Sequence, residues 1–404
     1  MSNRQAAYKV VRRLRKEGYQ ALFAGGCVRD RLLGRPASDY DVVTDAVPDA
    51  VIKLFRRTLK IGAKFGVVLV LIDAKQVEVA TFRTEGGYQD GRHPDYVAFA
   101  SAKEDAARRD FTVNGMFYDP IDKKVLDFVN GQSDLQKRIL RTIGQPDHRF
   151  SEDYLRMLRA VRLAVKLDFS IETGTWEAIK KHAGSIRSIS AERIAMEIEQ
   201  ILTHPRRAVG ARLLAESGLV YPIFDQLTPE SAEFGAAVLE HLPKAVDFPL
   251  ALASFLAGLP AKTAAAQAAE LKLSSDRIRH IRFLSEKQGL LSDAQLPLSQ
   301  LKLLMHQPYF WDLAELEKAI ALAKGLSLES LKANRRRAME LDQREIHPAP
   351  LLNGHELMAL GIAPGPAVGR LASEMYIAQL EGHIKTKEQA RQWCQQQLAK
   401  YSAE

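Results

Sequence analysis

Apolar positions follow two rhythms along the chain. Up to about residue 130, short apolar or β-branched runs bounded by turn residues are mixed with amphipathic stretches. Ala21–Ala24, Tyr40–Thr44, Val67–Asp73 and Val77–Thr81 predict strands, whereas Asn3–Glu17 and Asp49–Arg57 predict helices. From about Leu135 onward strand signals nearly vanish. Apolar residues then recur at helical spacing through Ser151–Lys166, Ser190–Leu202, Arg206–Glu216, Asp276–Glu286 and Leu313–Ala323. Ser151-Glu152-Asp153 and Ser190-Ala191-Glu192 each place a capping residue and acids in a first helical turn. Breaks fall near Pro205, Pro222, Pro260 and Pro348–Pro350. The pattern predicts an α+β protein, with a small mixed-sheet head followed by an elongated all-helical neck, body and tail.

Composition narrows the class. Of 404 residues, 46% are hydrophobic and 26% charged, the profile of a soluble globular protein. The longest apolar runs, Gly66–Ile72 and Phe248–Leu259, are too short to cross a bilayer, and the first twenty residues hold no apolar signal core. A cytoplasmic protein without membrane partners is expected. Two cysteines, Cys27 and Cys394, provide neither a disulfide framework nor a CxxC zinc site. The net charge of +8 fits a polyanionic partner without identifying one.

The chemistry concentrates in Ala24–Val43, AGGCVRDRLLGRPASDYDVV. Gly25 and Gly26 lie between a strand and a helix expected to start near Val28, where backbone can approach a phosphate closely. Asp39 and Asp41 flank Tyr40 at the start of an apolar strand, so alternation points both carboxylates to one face. Hard oxygen ligands on one face suit Mg²⁺. Glu78, on a strand that can pair alongside, supplies a third acid. Such a set can hold two metals, one activating a hydroxyl and one clamping a triphosphate. Arg108 and Arg109 bring two cations towards that polyphosphate, and Asp110 and Asn114 can hydrogen-bond a ribose. Asp153 and Arg156, three residues apart on the helix opened by Ser151, share a face and can imitate a base's Watson–Crick edge. Glu152 is assigned a supporting role. Arg159 and Arg162 continue the basic face.

GGCVRDRLLGR followed by DYD resembles the first motif of the class II nucleotidyltransferases of the polymerase-beta superfamily, which include tRNA CCA-adding enzymes and bacterial poly(A) polymerases. Arg108–Gly115, RRDFTVNG, resembles the second motif, departing from the usual RRDFTxNA at Gly115. Asp127–Leu135 (DFVNGQSDL), Glu152–Arg162 (EDYLRMLRAVR) and Ser190–Glu197 (SAERIAME) resemble the third, fourth and fifth, in order over about Leu22–Leu202. The resemblance implies catalysis at Asp39, Asp41 and Glu78, with metal at the two aspartates. It implies nucleotide binding by Gly25, Gly26, Arg29, Arg108, Arg109, Asp110, Asn114, Asp153, Arg156, Arg159 and Arg162, with Asp153 and Arg156 as a protein template choosing ATP or CTP. It divides the chain into a head (residues 1–134), a neck (135–204), and an RNA-binding body (205–345) and tail (346–404) that hold a tRNA acceptor end and elbow. The long polar loop Glu85–Glu104 matches one that CC-adding enzymes lack. The expected activity is addition of CCA or terminal A to tRNA from ATP and CTP with Mg²⁺. Poly(A) polymerase is the alternative, and a non-catalytic RNA-binding protein is a third reading. Beyond residue 205, His280, His306 and His383 show no metal spacing. No His-Asp dipeptide occurs. Arg335–Arg337 form a short basic run, and Leu352–Glu381 predicts two helices around a Gly/Pro turn.

Overall fold

The computed structural model describes residues 1–60, 66–86 and 96–401, which form two compact units, Met1–Thr228 and Pro229–Glu404.

The first unit opens with α1 (Asn3–Lys16), started by a reciprocal cap between Ser2 and Gln5. Its apolar face, Ala6, Ala7, Val10, Val11 and Leu14, is fully buried. Seven strands form one sheet: β1 (Ala21–Ala24), β2 (Asp41–Thr44), β3 (Thr58–Leu59), β4 (Val67–Ile72), β5 (Lys75–Thr81), β8 (Phe117–Asp119) and β9 (Lys124–Leu126), in the order β3-β4-β5-β2-β1-β8-β9. The Ala-Leu-Phe-Ala run of β1 is buried at every position, as suits a central strand. Neighbours pair antiparallel except β2 and β5, which run parallel with Val42 opposite Val79. This register sets Asp41 beside Glu78, and the period of two puts Val43 and Ala80 on the same face.

The predicted loop Glu85–Glu104 is partly ordered structure. β6 (Arg83–Gly86) pairs with β7 (Tyr96–Phe99), and residues 87–95 lie outside the described residues. α4 (Ala102–Ala107) follows, capped by Ser101 and Glu104. Its Ala102 and Ala106 pack with Leu22, Ala24, Val43, Phe82 and Phe117, bringing the segment after α4 over the sheet face that carries Asp41.

The third motif folds as a turn and α5 (Gly131–Lys137). Asp127 accepts the amides of Val129, Gly131 and Gln132, and buried Asp134 accepts the Thr112 hydroxyl at 2.8 Å. Gly131 lies against the Thr112 carbonyl so closely that a Cβ would come to 2.3 Å from that oxygen. A parallel bridge of Ile139–Leu140 with Ser170–Ile171 continues the chain into the helices.

The expected continuous helix Ser151–Lys166 is two helices, α6 (Pro146–Glu152) and α7 (Leu155–Leu167). Asp153 breaks them with φ −155° and ψ 104°, and its carboxylate accepts the Leu155 amide at 3.0 Å. An aspartate that bonds its own following backbone competes with the helical ladder. α8 (Thr173–His182), α9 (Ala191–Leu202), α10 (Arg207–Glu216) and a short helix at Val220–Ile223 follow, while α3 (Pro48–Leu54) lies earlier, after β2.

The second unit is helical throughout its described residues. Helices Pro229–Glu240 and Phe248–Phe255 meet at Gly235, where a Cβ would stand 2.0 Å from the Phe255 carbonyl. The two helices expected around the Gly/Pro turn are Gly354–Met358 and Pro366–Leu380, sharing a core of Leu357, Leu371 and Met375 with Cys394 of the last helix. In the Arg335–Arg337 run, Arg335 pairs with Glu315 at 3.0 Å and Arg337 donates to the Leu296 carbonyl at 2.9 Å, while Arg336 is exposed. No described helix is long and apolar enough to cross a membrane.

Sequence spacing offered no metal group here, yet folding gathers Asp247, His280 and Asp312 with ligand atoms within 4.8 Å of one another. His280 Nδ1 lies 3.7 Å from Asp247 and Nε2 lies 3.1 Å from Asp312. The two ring nitrogens thus face different carboxylates.

Candidate functional site

A cleft of about 460 Å³ in the first unit is lined by Gly25, Gly26, Asp41, Glu78, Arg108, Arg109, Asp110, Asn114, Asp153, Arg156 and Arg159. Eleven of the fourteen residues singled out in the sequence thus meet around one space. The other three, Arg29, Asp39 and Arg162, stand outside its wall.

The floor is the edge where β1, β2 and β5 meet. Asp41 opens onto the cleft with Ala24 opposite on one side and Glu78 beside it on the other. Partial removal from water and the charges of Glu78 and Asp39 push its pKa up to about 6, with Arg109 pulling the other way. Asp39 lies two residues before the start of β2 at Asp41. It is exposed, and its carboxylate accepts the Ser38 hydroxyl at 2.9 Å, although its charge is felt at Asp41. Sequence alternation overreached by one residue because the extended pairing begins at Asp41, not Tyr40.

Above the floor, α2 (Gly26–Leu32) begins two residues earlier than the expected start near Val28, with Gly25 as its N-cap at φ +69°. That backbone favours glycine, and a Cβ at Gly25 would stand 3.4 Å from Arg109. Arg109 and Arg108 are both gripped by Asp105, a fully buried acid. Its Oδ1 accepts from Arg108 at 2.9 and 2.6 Å, and its Oδ2 from Arg109 at 3.1 and 3.0 Å. Burial alone would raise the Asp105 pKa, but the two guanidiniums hold it below the usual carboxylate range. Arg109 also lies over the Phe117 ring, 5.0 Å from its centroid.

Asp110 and Asn114 belong to a polar chain. Arg29, buried, donates to Asn114 Oδ1 at 2.7 Å, and Asp110 accepts its own Phe111 amide at 2.8 Å and Arg159 at 3.1 Å. Burial would raise the Asp110 pKa, but Arg159 and these hydrogen bonds bring it down to about 2. Arg29 therefore supports the cleft from behind. Arg162 pairs with Glu197 at 2.8 Å and with Gln200 at 2.6 Å, away from the cleft wall.

Asp153 and Arg156 enter the cleft together although only Arg156 lies on α7. Arg193, in the fifth motif, holds the Asp153 carboxylate at 2.7 Å. Glu152 accepts from Arg156 and, at 2.6 Å, from Arg149. Asp105, Arg149 and Arg193 were missed in the sequence. The spacing of Asp105 three and four residues before Arg108 and Arg109, on one helix face, was an available signal for the first. The others answer to partners about 40 residues distant, which no local spacing reveals.

Asp41 and Glu78 offer only oxygens and crowd like charges, with Arg109 offsetting them in part. A hard divalent cation relieves that repulsion, so the donor set fits such an ion.

A sheet edge of acids under a double glycine and paired arginines defines a nucleotide-handling site, and comparison with known proteins agrees. Residues 21–141 match the family described as Poly A polymerase head domain, and residues 168–231 match the one described as Probable RNA and SrmB- binding site of polymerase A. A CCA-adding enzyme of Geobacillus thermodenitrificans (strain NG80-2) is 45% identical over 216 residues, a match spanning about half of each protein (53% of this chain and 53% of that one). A CCA-adding enzyme of Streptococcus agalactiae serotype V is 32% identical over 403 residues, 96% of this chain and 95% of that protein. Among solved structures, the Bacillus stearothermophilus CCA-adding enzyme in complex with CTP superposes with a TM-score of 0.78 at 28% identity, covering 99% of this chain and 98% of that one. The chain belongs to the CCA-adding enzyme family of class II nucleotidyltransferases.

Proposed function

We propose that the protein is a tRNA nucleotidyltransferase that completes the tRNA 3′ end with CCA from CTP and ATP, releasing pyrophosphate. One observation carries the reading: the acids of the sheet edge, the arginine pair and the Asp153/Arg156 pair line the same cleft, so a triphosphate and its base can be held together. The relatives that match along the whole chain bear the name CCA-adding enzyme, which favours CCA over terminal A alone.

In this reading Asp41 and Glu78, with Asp39 at the strand entrance, hold divalent ions, Mg²⁺ by their oxygen-only chemistry. Such ions, when bound, stabilise charge on the phosphates and lower the pKa of the attacking RNA hydroxyl. Arg108 and Arg109 clamp the triphosphate, their orientation fixed from below by Asp105, and the bare backbone at Gly25 leaves them room. Asp110 and Asn114 face the ribose. Asp153 and Arg156 present an acceptor and a donor fork to the base, with Arg193 fixing the carboxylate. The head (1–134) and neck (135–204) carry this chemistry, the body (205–345) and tail (346–404) hold tRNA, and the protein works in the cytoplasm.

Poly(A) polymerase is the second reading, favoured by the family description that matches the head. One experiment separates the two. The purified protein is incubated with tRNA lacking CCA, tRNA ending in CC, and an unrelated RNA, with CTP or ATP alone and together. Addition of C, C and A to tRNA lacking CCA and of A to tRNA ending in CC, with none to the unrelated RNA, supports the proposal. Addition of A to the CC end without any incorporation of C on tRNA lacking CCA means an A-adding enzyme, and long A tails on unrelated RNA mean a poly(A) polymerase.

A further inference from the structure

Arg149 is buried in the middle of α6, outside the cleft wall, with a guanidinium that joins three segments of the site. One Nη2 donates to the backbone carbonyls of Arg108 and, at 2.7 Å, Arg109. Its Nη1 donates to Glu152 Oε2 at 2.6 Å, and the same carboxylate oxygen accepts from Arg156. Arg156 also returns a hydrogen bond to the Arg149 carbonyl at 2.9 Å. A rigid path thus runs from the base-facing guanidinium to the backbone of the phosphate-facing pair.

We propose that Arg149 is a positioning residue for nucleotide selection, coupling the base-reading geometry of Arg156 to the placement of the triphosphate clamp. The inference rests on the functional reading above. Its physical basis is the planar fork. A guanidinium presents donors in fixed directions, so the Arg108–Arg109 backbone and the Glu152 carboxylate cannot shift independently while both are bonded to it. When a base fits Arg156, Glu152 and Arg149 keep their places and the clamp is aligned. When a base displaces Arg156, the shared carboxylate moves and the strain passes to the carbonyls of Arg108 and Arg109. A lysine at 149 keeps the charge but has a single compact head that cannot hold the carboxylate and both carbonyls in that geometry.

The test is Arg149→Lys, with Glu152→Gln and the double variant, each checked by circular dichroism for a native fold. Two quantities are measured for the full chain. One is kcat/KM for single-nucleotide addition to tRNA lacking CCA with CTP, ATP, UTP and GTP. The other is equilibrium binding of the same four triphosphates without RNA. For Arg149→Lys the preference for CTP and ATP over UTP and GTP is expected to fall by about tenfold, with a raised KM for CTP and ATP. Glu152→Gln is expected to do the same, and the double variant to lose little more than the larger single loss, because the residues act as one unit. Unchanged preference and KM would overturn the proposal. So would an equal fall in kcat for all four nucleotides at unchanged preference, the mark of a merely structural residue. If the wild type extends no RNA, the functional reading fails by itself, and the binding preference still decides the role of Arg149.

Discussion

Asp110 shows how much a single side chain does in this site. Although partial burial opposes its ionisation, it accepts the Arg159 guanidinium and its own Phe111 amide, which take its pKa down to about 2 from an ordinary 3.8. The folded-state pKa lies below the unfolded one, so unfolding takes up a proton between those values. The stabilisation is complete above about pH 4 and is lost as pH falls towards 2, about 2 kcal/mol in all. Denaturant unfolding of the wild type and Asp110→Asn should therefore differ at pH 7 and converge near pH 2. A constant difference across that range would refute the assignment. Asp41 has the opposite character, its pKa raised to about 6 by loss of water and by Glu78. A site that crowds carboxylates lowers fold stability to gain ion affinity. Asp41→Asn is expected to abolish nucleotide addition, and Mg²⁺ should raise the melting temperature of the wild type but not of the variant. Equal Mg²⁺ stabilisation of both would move the ion elsewhere. Gly115, where the second motif departs from its usual alanine, is matched by its surroundings. A Cβ there would come to 2.8 Å from both Ile143 and Val129. Gly115→Ala should destabilise the fold by about 1–2 kcal/mol, measured by chemical denaturation, because two branched side chains must give way.

At the scale of elements, local pattern announces those elements that carry a full period of their own. β1, β4 and β5 came out within two residues of their predicted bounds, as did α1, because three or more apolar positions set their phase. β3, β8 and β9, of two or three residues, are too short for alternation to register and exist through their sheet partners. The α6–α7 break was hidden by an apolar rhythm that continues across Asp153, although the carboxylate's bond to the Leu155 amide interrupts the backbone ladder there. Tertiary contact, not periodicity, also explains Gly131. The sequence offers a glycine in a turn, whereas the fold requires the bare Cα because α5 starts against the Thr112 carbonyl. Replacement by alanine pushes a methyl into a backbone atom that cannot yield without moving the RRDFT segment. Gly131→Ala is expected to cost about 3 kcal/mol and to lower nucleotide addition together with stability. A melting temperature within one degree of wild type would show that the close approach is unimportant.

At the scale of the whole molecule, the charge is distributed unevenly between the two units. From Pro229 onward there are 20 lysines and arginines and 20 aspartates and glutamates, while Met1–Thr228 holds 37 against 29, so the entire excess of +8 lies in the first unit. Part of that excess is fixed inside the cleft as Arg108, Arg109, Arg156 and Arg159. In the proposed function an RNA end would be drawn electrostatically to the unit that contains the acids and the nucleotide site, and the neutral helical unit would contribute by contact and shape. Counterion release makes the first kind of binding fall steeply with salt and leaves the second less affected. The consequence can be measured with two fragments, Met1–Thr228 and Pro229–Glu404, beside the full chain, in filter binding to tRNA lacking CCA from about 50 to about 200 mM salt. The first fragment should keep most of the salt dependence of the full chain with weaker absolute affinity. The second should bind with a shallow slope, and adding it as a separate chain should not restore full affinity, since a covalent link supplies effective concentration that mixing does not. A steep slope for Pro229–Glu404 would mean that local basic faces such as the one bearing Arg336, rather than the excess charge of the first unit, govern attraction of the RNA.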